Sequence, residues 1–240
     1  MPTPRTRTDA RASRAARISG LYAITPELDD TQRLVRLARA AIDGGARVLQ
    51  LRHKSAVPGL RQEQARALAE LCVARGVLFI VNDDAALAAA VDADGVHLGE
   101  DDGDIDAARA LLGPDRLIGV SCYGDVARGR AMAAAGADYL AFGSLFPSTV
   151  KPGARRASLS QLGEARTLGL PVVGIGGIDA YNARSVVEAG ADAVAVIADL
   201  FGDAHGTRDA ENVRRAAERI ARAVAPTLAA RAAAPMLERR

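Results

Sequence analysis

Two lysines stand out in a chain whose other basic residues are all arginine. The sequence contains 31 basic residues, and only Lys54 and Lys151 are lysine. Each follows a short apolar run that is predicted to be a β-strand. The lysine ammonium is a compact, strongly hydrated charge that contacts phosphate differently from the planar guanidinium of arginine. Lysine at these two positions therefore indicates phosphate contacts, and chance retention of two lysines is the alternative.

Carboxylates follow two neighbouring predicted strands. The runs are Asn82-Asp83-Asp84 and Glu100-Asp101-Asp102. Oxygen ligands of this kind suit Mg²⁺, which is commonly held by one or two carboxylates together with substrate phosphates and water. We predict Asp83 and Asp102 as magnesium ligands. Asp and Asn are also common in turns and helix caps, and we interpret Asp84 and Asp101 in that way.

A glycine pair follows the seventh predicted strand. Gly176 and Gly177 would allow backbone N–H groups to approach a phosphate closely, and Ile197 and Ala198 follow the eighth strand. Loops seven and eight, with a short extra helix, form the common phosphate site of (β/α)8 barrels. The sequence therefore predicts phosphate binding at this end of the chain.

The elements that must position these residues alternate along the chain. Short apolar runs are separated by stretches of helical period, which is typical of repeated βα units around a parallel sheet. Eight such units without a second domain favour an α/β fold with a single TIM (β/α)8 barrel over an open doubly wound sheet. The predicted strands are Leu21–Thr25, Val48–Arg52, Leu78–Asn82, Gly95–Leu98, Leu117–Ser121, Tyr139–Gly143, Val172–Ile175 and Ala193–Ile197.

The ends of the chain differ in composition from its centre. We expect a disordered Arg-rich arm over residues 1–19, a catalytic barrel over 20–222 and an unstructured Ala/Arg-rich tail over 223–240. An organellar transit peptide is the alternative for the arm, which lacks the apolar core of a secretory signal.

Charge and cysteine content exclude several classes of function. The net charge of +2 and the interspersed charges predict no nucleic-acid partner. No apolar stretch is long enough for a membrane span. The two cysteines lie outside any zinc-binding pattern, and a reducing cytoplasm fits them. The sequence is compatible with a homo-oligomer.

Six short motifs, taken in order, resemble those of the thiamine phosphate synthase family. The resemblance spans roughly residues 20–202. The motifs are Gln50-Leu51-Arg52-His53-Lys54, Val81-Asn82-Asp83, Asp94-Gly95-Val96-His97-Leu98-Gly99, Ile118-Gly119-Val120-Ser121, Phe146-Pro147-Ser148-Thr149-Val150-Lys151 and Ile175-Gly176-Gly177-Ile178.

The resemblance implies a reaction between two phosphorylated small molecules. A pyrimidine diphosphate and a thiazole phosphate, plain or carboxylated, would give thiamine phosphate and pyrophosphate, with Mg²⁺ as cofactor. It also implies residue roles. Gln50, Arg52, Lys54 and Asn82 would hold the pyrimidine diphosphate, Asp83 and Asp102 would hold Mg²⁺, Ser121 and Lys151 would contact pyrophosphate, and Gly177, Ile197 and Ala198 would bind the thiazole phosphate. Arg52, Lys54, Ser121 and Lys151 are the residues expected to act in catalysis, and Ser148, Thr149 and Val150 complete the predicted substrate contacts.

Several positions depart from the family pattern. Val150 replaces a threonine, Ala198 a serine and Glu100 a glutamine, while His53 stands where an acidic residue is expected and receives no role. His97 is interpreted as a packed strand residue. Two alternatives remain open, namely a thiazole tautomerase on the same barrel and a non-catalytic protein that binds a thiamine-like phosphate.

Overall fold

Eight parallel strands close into a barrel in the computed structural model, which describes residues 7–54, 56–147 and 156–233. Each strand pairs with the next, and β1 also pairs with β8, where Leu21 lies opposite Val194. The single TIM barrel is therefore confirmed and the open sheet is excluded. The strands are β1 (Gly20–Ile24), β2 (Ala46–Leu51), β3 (Leu78–Asn82), β4 (Gly95–Leu98), β5 (Leu117–Tyr123), β6 (Tyr139–Phe142), β7 (Val172–Ile175) and β8 (Ala193–Val196).

Helices surround the barrel and cover its outer face. A short extra helix, α9, follows β8, and the long helix α10 then packs against α2, α8 and β1. The helices are α1 (Arg7–Ala15), α2 (Thr31–Asp43), α3 (Pro58–Arg75), α4 (Ala85–Ala90), α5 (Ile105–Leu112), α6 (Val126–Ala134), α7 (Leu159–Arg166), α8 (Ala183–Glu188), α9 (Ala198–Phe201) and α10 (Ala210–Ala233). None of the described helices is long and apolar enough to cross a bilayer.

A recurring aspartate joins helices to strands at the bottom of the barrel, the end at which the strands begin. Each of these carboxylates accepts a hydrogen bond from a backbone N–H near the start of the preceding strand, and its own N–H donates to the carbonyl of the same residue. The side-chain bonds join Asp94 to Phe79 (2.9 Å), Asp138 to Ile118 (2.8 Å) and Asp192 to Val172 (2.9 Å). These paired bonds fix the ends of adjacent strands and hold the barrel in register.

The predicted disordered arm is wrong for residues 7–15, which form α1 under the barrel. Arg14 Nε lies 3.0 Å from Asp94, and Arg11 Nε lies 3.1 Å from Asp138. Ile18 follows the helix and is buried in the barrel interior. The arm has no apolar period with which to pack against the barrel. It docks instead through arginines that pair with aspartates at the barrel bottom.

The predicted unstructured tail is wrong up to residue 233, because α10 continues to Ala233. Val224 is buried against the barrel, and Arg231 donates to the carbonyl oxygen of Ala191 at 2.9 Å. Alanine and arginine are both strong helix formers, so this composition extends the helix once its first turns are packed.

The core has two layers. The outer layer lies between the sheet and the helices, and the inner layer fills the barrel with side chains such as Tyr22, Ile80 and Tyr139. The inner layer leaves a cavity at the end where the strands terminate, which is the face that carries function in barrels of this type.

Candidate functional site

A cavity of about 480 Å³ opens at the carboxyl ends of the strands. It collects residues from loops that are far apart in sequence, because each parallel strand delivers its last residues to the same face. Seven predicted substrate contacts line it: Gln50, Arg52, Asn82, Ser121, Gly177, Ile197 and Ala198.

Three ionisable groups, those of Lys54, Asp83 and Asp102, meet beside Asn82 at the edge of the cavity. Lys54 Nζ lies 3.1 Å from Asp83 Oδ2. The carboxyl groups of Asp83 and Asp102 are close enough to hydrogen-bond to each other. Burial and the hydrogen bond with Asp102 raise the pKa of Asp83. Burial also acts to raise the pKa of Asp102, but the hydrogen bonds from Asp83 and from the Gly99 N–H outweigh it, so that the pKa of Asp102 is lowered.

The backbone of Asp83 adopts a conformation that is uncommon for residues other than glycine. Its φ is 65°, in the left-handed region, and its N–H donates to the His97 carbonyl oxygen at 2.8 Å. Strained residues of this kind cluster at functional sites, where the surrounding structure holds them. The turn directs the Asp83 carboxyl group toward Asp102 on the neighbouring loop.

The carboxylate pair fits a divalent cation. Two carboxyl groups in contact repel each other when both are ionised, and a bound cation would remove that repulsion. Among the described residues, no group of three or more His, Cys, Asp or Glu could hold a metal ion. The pair would therefore leave most coordination positions to water and substrate phosphate, as Mg²⁺ commonly requires.

The interpretation of Asp84 as a structural residue is confirmed. Its side chain accepts a hydrogen bond from Leu87 N at 2.8 Å and caps α4. It also lies 3.8 Å from the guanidinium of Arg61.

Arg52 is held in place by a residue that the sequence reasoning missed. Glu27 Oε1 accepts from Arg52 Nη1 at 2.7 Å, and Thr25 Oγ1 accepts from the Arg52 backbone at 2.9 Å. Glu27 lies just after β1, so the rule of reading polar residues at strand ends would have found it. The ion pair orients the guanidinium in the wall of the cavity.

The opposite wall is formed by the loops after β7 and β8. Gly177 has a φ of 64°, and a Cβ atom on it would lie 2.3 Å from the Pro147 carbonyl oxygen. Only glycine fits this turn, which brings the backbone against the cavity. Ile197 and Ala198 form the start of α9, the short extra helix of the predicted phosphate site.

Two further charged residues at this wall were also missed. Arg208 Nη2 lies 3.9 Å from Asp199 Oδ1, and Arg208 Nη1 donates to the Asp199 carbonyl oxygen. Burial raises the pKa of Asp199. Arg208 lies beyond the last strand in a loop without a recognisable motif, so its position could not be inferred from spacing.

His97, interpreted from the sequence as a packed strand residue, does lie in β4 and stacks on the Tyr139 ring, but it also faces the cavity. Its ring is only half-buried and lines the cavity, with Nε2 2.9 Å from Ser121 Oγ and Nδ1 3.1 Å from the Tyr139 hydroxyl. Successive side chains of β4 point to opposite faces of the sheet, and that of His97 points into the barrel, next to the predicted substrate contact Ser121.

His53, which received no role, is buried and supports the loop after β2. Its Nδ1 lies 3.0 Å from Gln64 Oε1 and its Nε2 lies 3.5 Å from Asp29 Oδ1. The predicted contacts at Ser148, Thr149, Val150 and Lys151 lie outside the described residues.

Comparisons with known proteins show the family of the chain. The family described as "Thiamine monophosphate synthase" matches residues 21–200. A thiamine-phosphate synthase of Methylobacillus flagellatus is 55% identical over 184 residues, covering 77% of this chain and 88% of the relative. One of Chromobacterium violaceum is 54% identical over 205 residues, covering 85% and 96% of the two chains.

A solved structure shows the same relationship. Thiamine phosphate pyrophosphorylase from Pyrococcus furiosus superposes with a TM-score of 0.77 at 36% sequence identity, and the match covers 90% of this chain and 99% of that chain. A 3-hexulose-6-phosphate synthase matches with a TM-score of 0.60 at 18% identity and shares the fold. The chain therefore belongs to the thiamine monophosphate synthase family and is an enzyme of the transferase class.

Proposed function

We propose that this chain joins 4-amino-5-hydroxymethyl-2-methylpyrimidine diphosphate to a 4-methyl-5-hydroxyethylthiazole phosphate, plain or carboxylated. The products are thiamine phosphate and pyrophosphate, with CO₂ in addition from the carboxylated substrate. Two phosphorylated substrates must then lie in one cavity with their reacting atoms facing each other.

The arrangement of charge around the cavity carries this proposal. Residues of the arc β2–β5 supply Arg52, Asn82 and Ser121, with Lys54 beside them. The arc β7–β8 supplies the glycine turn and the start of α9. One arc would bind a diphosphate and the other a monophosphate, so that two anions would lie in one cavity.

The residues of the β2–β5 arc would bind the diphosphate and stabilise its departure. The bond between the pyrimidine CH₂ carbon and the diphosphate oxygen breaks, and its electron pair leaves with pyrophosphate. Arg52 and Lys54 would interact with the negative charge that grows on the leaving oxygen. A preorganised donor of this kind is typically worth about 3–4 kcal/mol of transition-state stabilisation.

Asp83 and Asp102 would hold Mg²⁺, which supplies further positive charge beside the diphosphate. Lys54 would also supply positive charge beside the diphosphate, because its ammonium group lies against Asp83. Ser121 would donate a hydrogen bond to the pyrimidine diphosphate.

The residues of the β7–β8 arc would position the second substrate. The backbone N–H groups of Gly177, Ile197 and Ala198 would bind the thiazole phosphate, so the serine-to-alanine departure at Ala198 removes no backbone donor. The thiazole nitrogen then uses its lone pair to form the new C–N bond to the pyrimidine CH₂ carbon. No protein nucleophile is required.

Pyrophosphate release tests the proposal against its alternatives. The purified chain is incubated with Mg²⁺ and both substrates, or with each substrate alone. We expect release only when both substrates are present. A thiazole tautomerase would isomerise its substrate without releasing pyrophosphate, and a non-catalytic binding protein would release none.

A further inference from the structure

A continuous chain of five side chains crosses the floor of the cavity. Gln50 Nε2 donates to the Tyr22 hydroxyl at 2.9 Å, and the hydroxyls of Tyr22 and Tyr139 are 3.0 Å apart. The Tyr139 hydroxyl lies 3.1 Å from His97 Nδ1, and His97 Nε2 lies 2.9 Å from Ser121 Oγ. The chain thus connects two predicted substrate contacts, Gln50 and Ser121, through three residues that had no assigned role.

The amide end sets the direction of every bond in this chain. Gln50 Nε2 can only donate, so the Tyr22 oxygen accepts and the Tyr22 proton points to Tyr139. The Tyr139 proton then points to His97 Nδ1. An imidazole that accepts at Nδ1 carries its proton at Nε2 and donates to Ser121 Oγ.

The opposite direction would leave a buried proton without an acceptor. If His97 carried a proton at Nδ1, the Tyr139 oxygen would accept it and Tyr139 would donate to Tyr22. Tyr22 would then face two donors, Gln50 and Tyr139, and its own proton would have no acceptor among these five side chains. An unsatisfied buried donor costs about 1–3 kcal/mol, so the first direction is favoured.

We propose that this chain holds His97 as the neutral tautomer protonated at Nε2 and thereby makes the Ser121 hydroxyl a hydrogen-bond donor to an acceptor atom of the ligand. His97 and Tyr139 are positioning residues that act through Ser121. The tautomer stands on geometry alone, whereas its effect on turnover rests on the proposed function.

The surroundings of Tyr139 keep this chain intact. Burial raises the pKa of both Tyr22 and Tyr139 above the ordinary value, so both hydroxyls keep their protons. The Tyr139 ring lies over Gly119, where a Cβ atom would be 1.9 Å from Cζ. Glycine at this position of β5 gives the ring its place inside the barrel.

The bond from His97 occupies one lone pair of Ser121 Oγ and leaves the hydroxyl proton available for the ligand. A free hydroxyl rotates and either donates or accepts, but an Oγ that already accepts from His97 turns its proton elsewhere. The oxygens of an ionised diphosphate only accept hydrogen bonds. A Ser121 hydroxyl already oriented as a donor therefore suits them and needs no rearrangement when the substrate binds.

Nitrogen-15 NMR of the full-length protein, labelled at the histidine rings, tests the tautomer without any substrate. The chain has three histidines, and the resonances that disappear in His97→Gln identify those of His97. We expect Nε2 protonated and Nδ1 unprotonated in the wild type, and a mixture of tautomers in Tyr139→Phe. Tyr181→Phe is the matched control, because Tyr181 is 97% exposed and is not one of the five hydrogen-bonded side chains.

A wild-type signal from protonated Nδ1 would overturn the proposal, and so would an unchanged tautomer in Tyr139→Phe. The wild-type spectrum alone decides the tautomer if Tyr139→Phe fails to fold.

A double-mutant cycle tests the positioning role through the steady-state kcat/KM for the pyrimidine diphosphate. We expect Tyr139→Phe to lower it roughly two- to tenfold in the wild-type background, which corresponds to one neutral hydrogen bond. In the Ser121→Ala background the same substitution should change kcat/KM by less than about twofold. Equal factors in both backgrounds would show that Tyr139 does not act through Ser121. A wild type that turns over neither substrate would contradict the proposed function and leave the NMR result unaffected.

Discussion

The ammonium group of Lys54 lies 3.1 Å from Asp83 Oδ2, although the lysine side chain is half exposed. Asp83 in turn contacts Asp102. One cation therefore already offsets part of the repulsion between two carboxyl groups at the edge of the cavity. In the proposed reaction, the same ammonium group would also pair with the negative charge of the bound diphosphate.

Replacing Lys54 by arginine should lower kcat/KM for the pyrimidine diphosphate even though the charge is kept. A planar guanidinium cannot occupy the single-point contact of an ammonium. The expected loss is about tenfold, in the range of one hydrogen bond to a charged group. Arg61→Lys is the matched control, because Arg61 pairs with Asp84 on the adjoining loop and is expected to retain wild-type kinetics. Wild-type kinetics in Lys54→Arg would mean that any cation serves at this position.

Asp102→Asn should abolish most turnover and leave the thermal midpoint near that of the wild type. The asparagine oxygen can still accept the Gly99 N–H bond, which is 2.8 Å long in the structure, while the negative charge needed for Mg²⁺ is lost. The control is Asp101→Asn, one residue away on an exposed position. Turnover and its dependence on Mg²⁺ concentration should be measured for both variants. An Asp102→Asn enzyme that saturates at the wild-type Mg²⁺ concentration would remove Asp102 from the metal site.

Arg208→Ala should raise the KM for the thiazole phosphate several-fold and hardly affect that for the pyrimidine diphosphate. Arg208 lines the β7–β8 side of the cavity and lies near the Asp199 carboxyl group. Its removal takes a guanidinium away from the wall that would hold the phosphate and leaves the Asp199 carboxyl group there with less positive charge around it. Steady-state kinetics with each substrate varied in turn separate the two effects. A larger change in the pyrimidine KM would place the thiazole phosphate elsewhere.

Arg14→Ala should destabilise the protein although Arg14 is far from the cavity. The guanidinium pairs with Asp94 at 3.0 Å and donates to the Asp115 carbonyl oxygen, and both contacts fasten α1 to the barrel. The loss should be about 1 kcal/mol, since both partners are partly exposed. Calorimetry should show a midpoint lower by roughly 2–4 °C, as expected for a chain of this size. Arg36→Ala, on the exposed face of α2, is the control. An equal shift in both variants would mean that the two contacts of Arg14 contribute nothing to stability.

The fold was largely predictable from the sequence, because every strand is a short apolar run followed by a helical stretch. All eight strands were located, with ends that differ by no more than two residues from those in the structure. The predicted contacts on the cavity wall also came together, since parallel strands bring their last residues to one face. Periodicity reveals neither charge pairing nor contacts between distant loops. Sequence reasoning therefore missed the docking of α1 through Arg11 and Arg14, the pairing of Glu27 with Arg52 and the hydrogen bond between His97 and Ser121.

Gly119→Ala and Gly59→Ala should shift stability in opposite directions. A Cβ on Gly119 would lie 1.9 Å from the Tyr139 ring, and overpacking of this kind typically costs about 1–3 kcal/mol or more. A Cβ on Gly59, near the start of α3, would meet nothing within 4 Å, so alanine should stabilise by up to about 1 kcal/mol. Urea unfolding of the two variants measures both changes. A neutral Gly119→Ala variant would show that Tyr139 can leave its position in the barrel.

In the proposed function, one cavity binds both substrates and couples the loss of pyrophosphate to C–N bond formation. The most direct test measures thiamine phosphate and pyrophosphate in the same reaction of the purified chain with Mg²⁺. We predict that the two products form in a 1:1 ratio and that neither forms when the thiazole phosphate is omitted. Pyrophosphate release without the thiazole substrate, or substrate binding without either product, would contradict this account.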